Sequence, residues 1–153
     1  MTMLLITAMA HPSFAVFADE PEEMQSDMLD YVIYREDGTI RETGTMPNGE
    51  PKTRYNWDGI TLYNGESVYL KPAGTSGLFA TGGTRIQFSH TLDRLAYHHY
   101  ALSGNHYGYV SSGYSTSSAG IINTVVDNSD YYYGYIINLS SDPFTIIRAS
   151  IVF

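Results

Sequence analysis

Punctuation constrains this chain more than any other feature. From Tyr31 onward, turn-forming dipeptides recur about every eight to twelve residues, the spacing of sandwiches and barrels. They are Asp37-Gly38, Asn48-Gly49, Asp58-Gly59, Asn64-Gly65 and Gly82-Gly83. Gly, Asn and Asp tolerate the positive φ that tight hairpins need. The runs between them are short and rich in β-branched and aromatic residues, a composition that suits pleated, half-buried surfaces. Strands are therefore predicted at 31–35, 39–43, 53–57, 60–63, 67–71, 77–80, 84–90, 95–102, 107–112, 121–126, 131–138 and 145–153.

The alternation of side chains sharpens this reading. In 84–90, Ile86 and Phe88 alternate with Arg85, Gln87 and Ser89, giving one apolar and one wet face. The run 132–137 is apolar on both faces, as in a central strand. In the last run, Ile147, Ala149, Ile151 and Phe153 are expected to share one face. Only 92–100 admits a helix, and its adjacent His and Tyr residues weaken that case. Residues 111–120 (SSGYSTSSAG) read as a flexible Ser/Gly loop. The predicted fold is all-β: a single antiparallel β-sandwich of jelly-roll type after an N-terminal signal segment.

The N-terminus is organised differently. Met3 to Ala10 is an apolar run too short to span a bilayer, and Val16 and Ala18 supply the small residues of a cleavage site. Residues 1–18 are therefore expected to be a signal peptide, although no Lys or Arg precedes the apolar run. Six of the 16 acids and none of the 8 bases fall between Asp19 and Asp30. That stretch reads as an acidic leader, 19–30, and a solvated tether. The domain proper, 31–153, is close to neutral. Neither part is basic, which argues against nucleic acid or anionic lipid as a partner. No later segment is long and apolar enough for a membrane span. With no cysteine, neither disulfides nor a lipid anchored on Cys is available, so the sandwich rests on packing alone.

From about Trp57 to Phe153 the chain resembles jelly-roll modules of small exported bacterial proteins. The resemblance is carried by three stretches. The first is the strand–turn–strand from Gly59 through Asn64-Gly65-Glu66 to Leu70. The second is the amphipathic strand 84–89. The third is the aromatic strand 131–138, followed by Leu139-Ser140-Ser141-Asp142-Pro143 and the run 144–153. In outline these are similar to bacterial pre-peptidase C-terminal domains and GOLD-type sandwiches. The resemblance implies the fold and an accessory, non-catalytic character; it assigns a role to no residue.

Candidate chemistry is sparse. His90, His98, His99 and His106 cluster in sequence, but on a strand His98 and His99 point to opposite faces, and the His-x-His pattern of metal-binding cupins is missing. These histidines are expected near the surface, with no metal and no cofactor. Asp127-Asn128-Ser129-Asp130 offers oxygen atoms without the spacing or the bidentate Glu of an EF-hand; a turn capped by its own side chains accounts for it. No Ser lies in a Gly-x-Ser-x-Gly elbow, so an enzyme is not expected. Trp57 suits a core anchor and a ligand platform equally.

Tyrosine is the outlier, with 14 Tyr against 6 Phe and 1 Trp, concentrated between Tyr97 and Tyr133. Its broad apolar face and polar tip suit stacking on sugars and recognition of proteins, while cross-strand pairing would also explain the surplus. The expected ligand-binding residues are Tyr97, Tyr100, Tyr107, Tyr109 and Tyr114. The function so predicted is that of a secreted, non-catalytic binding module recognising an extracellular glycan or protein. The alternatives are a self-associating cell-envelope protein and a small secreted hydrolase.

Overall fold

The computed structural model describes residues 27–49 and 53–153. The predicted signal peptide and most of the predicted acidic leader lie outside these residues. Twelve strands follow one another without a helix among the described residues: β1 (Met28–Tyr34), β2 (Ile40–Pro47), β3 (Arg54–Trp57), β4 (Ile60–Leu62), β5 (Ser67–Pro72), β6 (Leu78–Ala80), β7 (Arg85–Leu92), β8 (His98–Gly104), β9 (Gly108–Ser115), β10 (Ala119–Val125), β11 (Asp130–Asn138) and β12 (Phe144–Val152). Every predicted strand is present, in order. The turn dipeptides act as expected at Gly38, Gly59 and Gly65, whose φ values are 80°, 69° and 76°.

The strands form two antiparallel sheets packed as a sandwich. The larger has the order β2-β1-β5-β11-β8-β9, with β6 also pairing β11; the smaller has the order β10-β7-β12-β3, with β4 also pairing β12. From β4 onward the chain passes repeatedly from one sheet to the other. Period-two alternation turns one face of each strand inward. Leu29, Ile33, Val68, Leu70, Leu102, Tyr132 and Ile136 of the larger sheet meet Tyr55, Trp57, Leu62, Ile86, Phe88, Phe144, Ile146 and Ile151 of the smaller. Trp57 is a core anchor, fully buried, and its indole N–H donates across the sandwich to the Asp30 carbonyl at 3.0 Å. Each such side chain contributes on the order of 1.5–3 kcal/mol when fully buried, which in a chain without disulfides is the main source of stability.

Four expectations are corrected. Met28, Leu29 and Asp30, placed in the acidic tether, begin β1: Leu29 is buried, and β1 pairs on both sides, with β2 and β5. Asp30 is accommodated by the Thr45 hydroxyl, at 2.7 Å, and the Gly74 N–H. The last strand does not alternate cleanly. A bulge between Ile146 and Arg148 leaves Ile147 exposed and buries Ile146, Ala149 and Ile151. The Ser/Gly stretch is mostly strand, since β9 runs to Ser115 and β10 starts at Ala119. Its small residues answer to packing: a Cβ on Gly113 would lie 2.7 Å from the Tyr100 ring, and one on Gly120 2.6 Å from it.

The histidines are the fourth correction. His90 and His98 are not near the surface but buried between the sheets, with their Nε2 atoms 2.7 Å apart. The proton positions follow from the partners. His98 Nδ1 lies 2.8 Å from the Ala96 carbonyl, an acceptor only, so Nδ1 carries hydrogen. Neutral His98 then accepts at Nε2, and His90 Nε2–H donates. This leaves His90 Nδ1 bare and buried without a partner. Burial, reinforced by the neighbouring His98, pushes the His90 pKa down from the ordinary imidazole range to about 3; burial also lowers His98.

This packing has measurable consequences. His90 is protonated in the unfolded chain below about pH 6.5 but stays neutral in the folded one, so its contribution to stability is full above that pH and is lost as pH falls toward 3. At pH 4.5 the loss is on the order of 2–3 kcal/mol. Urea melts followed by circular dichroism between pH 7 and 5, above the range where most carboxylates titrate, should already show about 2 kcal/mol of this loss, and a flat profile would contradict the buried pair. Secondly, Gly120→Val forces a branched side chain against His90 and Tyr100 and should cost about 1–3 kcal/mol. Thr116→Val, in the exposed β9–β10 turn, should stay within about 0.5 kcal/mol in the same melts.

Candidate functional site

The outward face of the larger sheet carries the most distinctive arrangement. Alternation that sends Val68 and Leu70 of β5 inward sends Tyr69 outward, and in β11 it sends Tyr133 and Tyr135 outward between buried Tyr132 and Ile136. In β8 the outward residues are His99, Ala101 and Ser103, and their partners on β9 are Tyr114, Ser112 and Tyr109. Register brings these positions side by side. Tyr69 pairs with Tyr135, Tyr135 with Ala101, and Ile137 with His99.

The result is an unbroken run of rings across five adjacent strands. Ring centres lie 5.1 Å apart for Tyr34–Tyr69 and 4.9 Å for Tyr69–Tyr135. The run continues with Tyr135–His99 at 6.0 Å and His99–Tyr114 at 4.5 Å, and Tyr97, in the loop before β8, stacks on Tyr114 at 6.2 Å. Tyr133 flanks Tyr69 at 5.4 Å, and Tyr109 flanks Tyr135 at 6.3 Å. These separations fall in the range of favourable offset and edge contacts.

The array has two tiers. His99, Tyr135 and Ala101 are buried, although Ala101 and Tyr135 stand outside the core between the sheets. Above them Tyr109 and Tyr114 are 64% and 65% exposed, and Tyr97 is 47% exposed. The lower tier holds its protonation state firmly. Burial pushes the His99 pKa down, keeping the ring uncharged. Burial, then the nearby Tyr109 and Tyr69, pushes the Tyr135 phenol up, and burial does the same for Tyr69. Phenols held neutral keep their O–H donors. At the Tyr34 end the array opens into a cleft of about 560 Å³ lined by Tyr34, Tyr69, Tyr135, Ser67, Arg35 and Glu36.

Of the residues expected from sequence, Tyr97, Tyr109 and Tyr114 lie together on this face. Tyr100 does not. It points to the opposite side of β8, half-buried against His90 and His98, with ring centres at 4.7 and 5.7 Å. Tyr107 is exposed in the β8–β9 turn and shares no ring contact with the array among the described residues. Tyr34, Tyr69, Tyr133, Tyr135 and His99 were not anticipated. The alternation in β11 marks Tyr133 and Tyr135 as sharing a face, but only the strand order places them beside Tyr69 and His99.

The polar groups of the β8–β9 turn and of residues 128–130 are occupied structurally. Buried Asp130 accepts from His106 Nδ1–H at 2.7 Å, from the His106 backbone N–H at 2.9 Å and from the Tyr131 N–H at 2.8 Å. Burial raises its pKa, and these bonds outweigh burial to leave it below the usual carboxylate range. The dyad ties the β8–β9 turn to β11; no hydroxyl is hydrogen-bonded to the His106 ring among the described residues. The Asn128 carbonyl and the Ser129 hydroxyl are likewise engaged, by Tyr132 and by the Gly82 N–H. Among the described residues no three metal-ligating side chains gather, and no helix is long and apolar enough to cross a membrane.

No family model and no curated protein sequence matches the chain. Among the solved structures that resemble it in chain path are two whose descriptions follow. One, described as "BiXyn10A CBM1 APO", is 8% identical with a TM-score of 0.40, covering 67% of this chain and 99% of that one. The other, described as "CBM4 structure and function", is 16% identical with a TM-score of 0.42, covering 79% and 92%. Likeness at this level assigns nothing to individual residues here.

Proposed function

We propose that this protein is an exported, non-catalytic module that binds glycan through the tyrosine array on the outer face of its larger sheet. The observation that carries the reading is the two-tier arrangement: exposed Tyr109, Tyr114 and Tyr97 backed by buried His99 and Tyr135. A sugar ring offers a flat patch of C–H bonds rimmed by hydroxyls. Phenol faces accept the former and phenol O–H groups the latter, and rings braced from beneath lose little freedom on binding. Cross-strand ring contacts stabilise the sheet by themselves; the faces of Tyr97, Tyr109 and Tyr114 left open above those contacts are what a sugar would meet. Export is part of the proposal through the apolar start and small-residue cleavage pattern of residues 1–18, and 19–26 would then tether the sandwich.

The experiment is a glycan array probed with the full chain and variants. Tyr109→Ala and Tyr114→Ala should each weaken retention by about tenfold, near 1.4 kcal/mol, the scale of a significant interface side chain. Tyr107→Ala, equally exposed but apart from the rings, should leave retention unchanged. Equal behaviour of all three variants would remove the array from the function. For the leader, mass spectrometry of protein recovered from a producing culture should give a chain beginning at Asp19; intact Met1 on all material would end the export reading.

A further inference from the structure

The charge pattern of the array narrows the ligand further, on the footing that the array is the binding surface. From Tyr69 to Tyr114 the array itself carries no formal charge on the outward side. Ser67 and Tyr69, then Tyr133, Tyr135 and Ile137, then the outward residues of β8 and β9 include no Asp, Glu, Lys or Arg, and burial keeps His99 uncharged. Charges appear at its Tyr34 end, where Arg35 and Glu36 line the cleft and Lys71 follows Tyr69 on β5. Lys71 Nζ donates to the Thr75 carbonyl at 2.6 Å, and Arg35 Nη1 donates to the Ile40 carbonyl at 3.2 Å.

The shape is as informative. The rings follow the strand order β1-β5-β11-β8-β9, so the array runs across the strands, not along one. At ~4.8 Å per strand, four spacings make it about 19 Å long, several sugar rings in an extended chain. A compact ligand would engage only a part of it.

We infer that the ligand is an uncharged, extended polysaccharide lying across the strands from Tyr34 to Tyr114. Uronate-bearing and sulfated polymers fit this face poorly, since between Tyr69 and Tyr114 it offers no cation to pair with their anionic groups.

The test uses the full chain in affinity electrophoresis against neutral polymers (cellulose derivatives without charge, mannan, starch) and anionic ones (polygalacturonate, alginate). Calorimetry follows on a neutral oligosaccharide ladder from disaccharide to hexasaccharide. Retention should be confined to a neutral polymer and should change by less than about twofold between ~10 mM and ~500 mM salt. Affinity should rise along the ladder, and Tyr34→Ala and Tyr114→Ala, at opposite ends, should each reduce hexasaccharide affinity by about tenfold. Circular dichroism confirms that each variant is folded, and the wild-type comparison stands without them. Retention on an anionic polymer, weakened by salt and by the same variants, overturns the inference while leaving glycan binding intact. So does affinity for a neutral sugar that is flat from disaccharide to hexasaccharide. No retention on either class overturns this inference and the glycan reading together.

Discussion

Everything distinctive in this molecule depends on the two-sidedness of a β-strand. In β11 the closely spaced aromatics Tyr131, Tyr132, Tyr133 and Tyr135 serve two different surfaces, because neighbouring side chains leave the backbone in opposite directions. Tyr132 is committed to the interior, while Tyr133 and Tyr135 build the outer layer. The same division splits His98 from His99 in β8. One joins a buried imidazole pair, and the other braces Tyr114 from beneath. Without disulfides, the apolar contact between the sheets must hold both strands flat and in register, and the outer array inherits its order from that contact.

The interior shows how closely the two sheets are matched. Gly134 lies beneath the Phe88 ring and Gly113 beneath Tyr100. Small residues on one strand make room for large rings from another, which is how a core reaches crystal-like density without cross-links. Tyr100 and His90 fill this space in place of purely apolar groups. That choice makes the interior sensitive to acid, because the bare His90 Nδ1 has no acceptor or counter-charge at hand.

Much of the fold was legible in the sequence, for a physical reason. Turn chemistry at Asp37-Gly38 and Asn64-Gly65 and the alternation around Ile86 and Phe88 are local signals, and local signals locate strands. The failures also have causes. The bulge at Ile147 shifts a face by one residue, which no alternation pattern announces. The Ser/Gly run looked like a loop because its small residues answer to Tyr100 and His90, both distant in sequence. The site was half legible. Tyr97, Tyr109 and Tyr114 stood out by composition, whereas Tyr34, Tyr69 and Tyr135 acquire meaning only from β5 pairing with both β1 and β11. Those pairings join segments far apart in the chain.

The strand order also fixes when the molecule can assemble. β11 occupies the middle of the larger sheet and β12 the middle of the smaller, yet they come last among the twelve described strands. Until they arrive, β1-β5 and β8-β9 are unconnected halves, and β7 has no link to β3. No N-terminal fragment can therefore form a complete layer. Assembly waits until β12 has been made, and dominance of long-range pairings makes it slow once it begins. A nascent copy stays threadable, with its strand edges open to other chains, until β11 and β12 have emerged.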